Sequence, residues 1–165
     1  VELIDGVFYD MAGSNTYHQL IGGAIYNEIY NFIKKNKGPC IPFVAPCDVQ
    51  LDCDNRTMVQ PDIMIVCDRD KIKKRLFGAP DFVCEVLSPS TKNKDIVIKT
   101  AKYQQAGVQE YWMVDPMEKT VFVYDFREEI KIHLYSFNDT IPVLIFDENL
   151  KIDMREIRED LSFME

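Results

Sequence analysis

Residues 81 to 87 read Asp81-Phe82-Val83-Cys84-Glu85-Val86-Leu87, a short and nearly continuous apolar run followed by a helical pattern and then by a second apolar run at 108 to 115. A strand apolar on both faces has to be covered on both, and a strand-helix-strand crossover joins parallel neighbours. The succession predicts a central mixed sheet flanked by helices, the α/β class. Glu85 interrupts the run. A carboxylate set among Phe, Val, Cys and Leu costs several kcal/mol unless it is protonated, hydrogen-bonded or bound to a cation. Asp62, after Gln60-Pro61, stands in a second strand-like run and poses the same question.

The chain has 165 residues and 47% hydrophobic content, enough for one domain, residues 1–165, with a real core. No apolar stretch reaches the roughly twenty residues of a membrane span, and Val1-Glu2-Leu3-Ile4-Asp5 is no leader; the expectation is a cytoplasmic protein without membrane contact. Five cysteines form no Cys-x-x-Cys pair, so Cys67 and Cys84 read as buried thiols in a reducing compartment. With only His18 and His133 present, the composition argues against a His-rich transition-metal site, and oxygen ligands point to Mg2+ or Mn2+.

Net charge is −8, wrong for a protein that grips a polyanion by bulk electrostatics. Its distribution is uneven. Residues 69 to 102 hold nine basic and four acidic side chains, a balance of +5, leaving −13 for the rest. Lys71, Lys73, Lys74, Arg75, Lys92 and Lys94 flank the Glu85 strand, where phosphates would approach. The bland reading of the run from Lys71 to Arg75 is a solvated charge cluster.

Asp5-Gly6 between two apolar pairs predicts a hairpin. A helix is expected from an N-cap at Ser14 or Asn15 to about Lys35, with Ile21, Ile25, Ile29, Phe32 and Ile33 as its apolar stripe, ended by Gly38-Pro39. Strands are expected at 41 to 51 and 58 to 67, the second broken at Pro61. A helix at about 92 to 106 is capped by Ser90, Thr91 or Asn93 and closed by Gly107. Strands then fall at 108–115, 119–126 and 130–135, and a short acidic helix without evident role follows Asp153.

If their strands are neighbours, Asp62 and Glu85 converge on one cation, with the main-chain carbonyl of Val86 and waters completing an octahedron and Gln60 on the Asp62 face. Such a cation polarises a phosphodiester and lowers the pKa of a bound water. Asp95, Lys99 and Tyr103 fall at i, i+4 and i+8 on one helix face, which places Lys99 over the same site or, in the bland reading, in an exposed ion pair with Asp95. His18 reads as a cap or rim residue, Tyr111 and Trp112 as core or interface aromatics, and Ser88 as a turn.

The segments Glu2-Leu3-Ile4-Asp5-Gly6, Gln60-Pro61-Asp62, Glu85-Val86-Leu87-Ser88-Pro89-Ser90-Thr91, Asp95-x-x-x-Lys99-x-x-x-Tyr103 and Gly107-Val108-Gln109-Glu110-Tyr111-Trp112, in that order, resemble the Uma2 family of putative restriction endonucleases, within the PD-(D/E)XK nuclease-like superfamily. The resemblance runs from Glu2 to about Tyr124. It implies a single-domain restriction-endonuclease-like fold and a Mg2+- or Mn2+-dependent endonuclease acting on DNA, with Asp62 and Glu85 as metal ligands. The superfamily's lysine two residues after the second acid is replaced here by Leu87, and the resemblance implies that its task passes to Lys99. Glu28 resembles a further acid that some members direct at the metal, or is a solvated helix residue. A homodimer is expected, because a small core that cuts duplex needs two active sites. The rival reading is an inactive nuclease fold serving as a nucleic-acid-binding or dimeric interaction module, favoured by Leu87 and the acidic total.

Overall fold

A computed structural model describes residues 1–11, 13–52, 54–89 and 94–165, without the side chains of Lys94 and Asp95. Strands β1 (Glu2–Ile4) and β2 (Val7–Tyr9) form the expected hairpin; at its turn Asp5 and Gly6 both adopt positive φ, 51° and 82°. Helix α1 (Thr16–Asn36) is capped by the Asn15 side chain, which accepts from the His18 N–H, and Lys37 ends it in the left-handed region with its N–H on the Ile33 carbonyl. Ile21, Ile25 and Ile29 are fully buried, and each contributes about 1.5–3 kcal/mol relative to an exposed position.

The two strands expected at 41–51 and 58–67 are each split between sheets. β3 (Ile41–Val44) and β6 (Ile63–Val66) pair with each other, whereas β4 (Val49–Gln50) and β5 (Met58–Val59) pair in a different sheet. Pro61 has no N–H to give a ladder, so the chain changes sheets there, and Asp62 is delivered to the start of β6. β7 (Leu76–Phe77) runs parallel to β4, and β8 (Phe82–Val86) carries Glu85. Helix α2 (Lys94–Ala106) closes at Gly107, φ 100°, and leads into β9 (Glu110–Asp115), parallel to β8 as the crossover predicts. Its expected caps, Ser90, Thr91 and Asn93, lie outside the described residues. β10 (Thr120–Asp125) and β11 (Lys131–Ser136) extend the sheet, β12 (Thr140–Pro142) pairs with β13 (Lys151–Asp153), and α3 (Met154–Asp160) follows an Asp153 N-cap.

The central sheet has six strands in the order β11-β10-β9-β8-β6-β3, and a smaller five-stranded sheet runs β2-β1-β5-β4-β7. Alternation along β8 sends Phe82, Cys84 and Val86 into the core under α1 and Val83 into the second core, beside Met64, Val66 and Tyr103. Glu85 therefore shares its face with Val83. The helix after Asp153 has a role after all: Met154, Ile157 and Leu161 seal the α1 core.

Cys67 is not a free thiol. The pairing of Ile41 with Val66 places Cys40 opposite Cys67 one step further along, and the two form a disulfide. Cys84 is a free, buried thiol, as expected. Among the described residues no helix is long and apolar enough to cross a membrane.

Candidate active site

β6 and β8 run antiparallel with Ile63 opposite Cys84, so the residue before Ile63 stands across from the residue after Cys84: Asp62 faces Glu85. The Val86 N–H donates to Asp62 Oδ2 at 2.8 Å, a bond that fixes the carboxylate against the end of β8. Glu85 is only 8% exposed. Its Oε1 accepts from the Tyr103 hydroxyl at 2.6 Å and from Lys99 Nζ at 2.9 Å. Lys99 and Tyr103 lie one turn apart on α2, so a single helix face supplies both donors.

Two residues to which the sequence analysis gave no part in the site complete the cluster. Glu2, buried at the start of β1, puts Oε2 2.9 Å from Lys99 Nζ, and its Oε1 accepts from the Gln60 N–H at 2.9 Å. His18 reaches in from the first turn of α1, with Nε2 3.3 Å from Asp62 Oδ2. Its Nδ1 is buried without a hydrogen-bond partner among the described residues. Glu2, His18, Asp62, Glu85 and Lys99 line a cleft of about 330 Å³ that also receives Asp10, Met11 and Ile96.

The electrostatics follow from burial and neighbours. Burial pushes the Glu85 carboxyl up to about 7, against the pull of Lys99, and the Asp62 and Glu2 charges push the same way. Burial alone would lower Lys99, but the Glu85 and Glu2 carboxylates overcome it and hold the ammonium well above its usual range. The Asp62 carboxylate raises His18, with burial opposing and the Val86 backbone adding to the rise.

A stability signature results. Glu85 binds its proton more tightly folded than unfolded, so its contribution is complete below about pH 4.5 and is lost as the pH rises through about 7. The metal-free melting temperature is expected to fall across that window by a component absent from Glu85→Gln; parallel pH profiles of the two proteins would refute the assignment.

Among the described residues, two oxygens, Asp62 Oδ1 and Glu85 Oε2, are left without a protein partner while their twins are anchored, an arrangement suited to a hard cation. Among the same residues no three His, Cys, Asp or Glu side chains are grouped to enclose a metal, so the side chains that could hold a cation here are the two carboxylates of Asp62 and Glu85. That set fits Mg2+ or Mn2+ and does not fit a His- or Cys-rich ion.

Residues 1–155 match the model of a family described as "Putative restriction endonuclease", Uma2. The chain belongs to the Uma2 family. This Uma2 protein is 26% identical over 148 residues to the uncharacterized protein slr1290 of Synechocystis sp., spanning 88% of the chain and 70% of that relative. It is also similar to the crystal structure of a putative nuclease belonging to DUF820 from Anabaena variabilis, with a TM-score of 0.78 at 21% identity over 96% of this chain and 89% of the other. The fold is thus α/β and nuclease-like, with a central mixed sheet flanked by helices.

The remaining expected site residues of this Uma2 chain are placed less uniformly. Gln60 lines the cleft, yet its side-chain amide donates to Asp48 Oδ1 at 2.6 Å, away from the carboxylate pair. Glu28 is exposed on α1 and does not line the cleft, which answers to its reading as a solvated residue. Lys71 donates to the Ala79 carbonyl, while Lys73 and Arg75 lie over the Phe77 ring. With Lys74, they sit beside β7 at the far edge of the five-stranded sheet, three strand spacings or about 14 Å from β1, and none lines the cleft. Lys92 and the side chains of Lys94 and Asp95 lie outside the described residues.

Proposed function

We propose that the cleft is the active site of a Mg2+-dependent endonuclease that hydrolyses DNA phosphodiester bonds. The observation that carries this reading is the contact of Lys99 Nζ with Glu85 Oε1 at 2.9 Å, beside an Asp62 that the sheet register sets opposite. The basic group missing at Leu87 is supplied from α2, so the acid-acid-amine set of a phosphodiesterase is assembled from three elements. Bound at Asp62, Glu85 and the Val86 carbonyl, the cation would polarise the phosphate and acidify a water. The protein's own part is to position and to neutralise. Lys99, as an ammonium, holds the attacking water or a phosphate oxygen by hydrogen bonding. Tyr103 and the Val86 N–H keep the two carboxylates from swinging out of place.

Charge supports the need for a cation. Glu2, Asp10, Asp62 and Glu85 line the cleft against Lys99 and His18, and a phosphate entering that lining unaided meets net repulsion. Lys73, Lys74 and Arg75, exposed at the sheet edge, would touch phosphates flanking the scissile one, and two copies of the chain would bring two cleavage sites to a duplex.

The direct test is cleavage of plasmid and linear DNA by the purified protein with Mg2+ or Mn2+ against a chelator control. Alongside it, millimolar Mn2+ is expected to raise the melting temperature by several degrees, since a ligand bound only by the folded state stabilises it. Metal-independent melting together with absent cleavage would hand the site to the rival reading, a nuclease fold kept as a binding module.

A further inference from the structure

We infer that Glu2 is a positioning residue: it is the second counter-ion of Lys99, the one that keeps the ammonium in the cleft when Glu85 is taken by a cation. The inference rests on the nuclease reading above and assigns a role to a residue outside the acid-acid-amine set.

Lys99 Nζ stands 2.9 Å from a carboxylate oxygen on each side, Glu85 Oε1 and Glu2 Oε2. Its side chain is 16% exposed, so it depends on these two partners for its charge. A divalent ion at Glu85 weakens one partnership, because the same carboxylate then faces two cations. A buried ammonium stripped of its last counter-ion is strongly destabilised, and that destabilisation would weaken metal binding. Glu2 removes the difficulty, since Lys99 can lean fully on it without leaving the site.

Glu2 is built for holding still. It is 5% exposed, and the pairing of β1 with β5 sets it beside the chain leading to Gln60, whose N–H it accepts at 2.9 Å. One carboxylate thus fixes the lysine through one oxygen and the segment leading into Asp62 through the other. Loading of the metal site and placement of Lys99 become a single event, coordinated from the first strand of the chain.

The test is Mn2+ binding by calorimetry to four proteins: wild type, Glu2→Gln, Lys99→Met and the double variant. Glu2→Gln keeps the size of the side chain and an acceptor for the Gln60 N–H while losing the charge that pairs with Lys99. It is expected to weaken Mn2+ on the order of tenfold, equivalent to about 1.4 kcal/mol. In the Lys99→Met background the same substitution is expected to have little effect, because no ammonium remains to be neutralised. Wild-type affinity in Glu2→Gln overturns the inference. So does a tenfold weakening that persists undiminished in the double variant, which would make Glu2 a direct ligand or a plain source of negative charge. A wild type that binds no Mn2+ removes the nuclease reading and this one with it, whereas a wild type that binds and a Glu2→Gln that binds equally well removes only this one. Should Glu2→Gln fail to fold, the wild-type protein still decides: the 15N signal of Lys99 Nζ, identified by its loss in Lys99→Met, is expected to stay protected from solvent exchange at saturating Mg2+. Loss of that protection overturns the inference.

Discussion

Asp62→Asn and Glu85→Gln are each expected to lower Mg2+-dependent DNA cleavage by roughly a thousandfold or more, the rate equivalent of about 4 kcal/mol, while leaving the protein folded. The magnitude follows from the donor set. In the proposed site two carboxylates would hold the cation, so losing one charge would remove half of the anionic anchoring, and the Lewis acid that would activate water goes with it. The fold should survive for equally local reasons. In Glu85→Gln the new amide oxygen can still accept the Tyr103 hydroxyl, Lys99 keeps Glu2, and replacing a carboxylate whose charge is disfavoured by burial relieves a desolvation cost. Asp62→Asn likewise retains an oxygen for the Val86 N–H. Initial rates on supercoiled plasmid, read beside the melting temperatures of the same preparations, separate chemistry from stability. Cleavage within tenfold of wild type in both variants would discard the mechanism.

Glu110→Ala should act oppositely, leaving the cleft intact and undermining the molecule around it. Glu110 is fully buried, and its two oxygens accept from Trp112 Nε1 at 2.7 Å and from the Leu144 and Ile145 N–H groups at 3.0 Å each. Truncation leaves the buried Trp112 indole N–H and the half-buried Leu144 and Ile145 N–H groups without their acceptor. A loss of about 3–5 kcal/mol is expected, since an orphaned buried polar group costs about 1–3 kcal/mol and relaxation recovers part of the sum. At about 2–4 °C per kcal/mol for a chain of this size, melting should drop by roughly 10 °C or more. A change under about 2 kcal/mol by urea unfolding would show that water or neighbouring groups satisfy these donors.

What is legible in the sequence divides along a physical line. Local signals carry far: the hairpin at Asp5-Gly6, the Asn15 cap, the isoleucine stripe of α1 and the Gly107 stop are all set by neighbouring residues. The convergence of Asp62 with Glu85 is legible only on the condition that β6 and β8 adjoin, which the register meets. Glu2 carries no such signal, because a three-residue strand is too short to show a period and its partners lie 58 and 97 residues away. His18 does carry one. It precedes Ile21, Ile25 and Ile29 at i+3, i+7 and i+11, the inward stripe of α1, and a histidine opening an apolar stripe is placed where the helix meets the sheet. The place of the basic run is set by pairing alone, because charge density along a chain says nothing of sheet order; β7 pairs with β4, and that pairing carries Lys71 to Arg75 to the outer edge. Cys40 and Cys67 escape notice for the same reason, being joined by a strand pairing across 27 residues.

Among the described residues, the portion of the chain beyond Asp125 supplies no wall of the cleft, yet Phe137, Ile141, Val143, Leu150, Ile152, Met154, Ile157 and Leu161 are buried in the same core as Ile21, Ile25 and Ile29 of α1. A minimal version cut back to the recognisable motifs would keep every proposed reacting group and remove much of the core that the helix carrying His18 shares. Trimming guided by motif alone would therefore discard the foundation and keep the doorway.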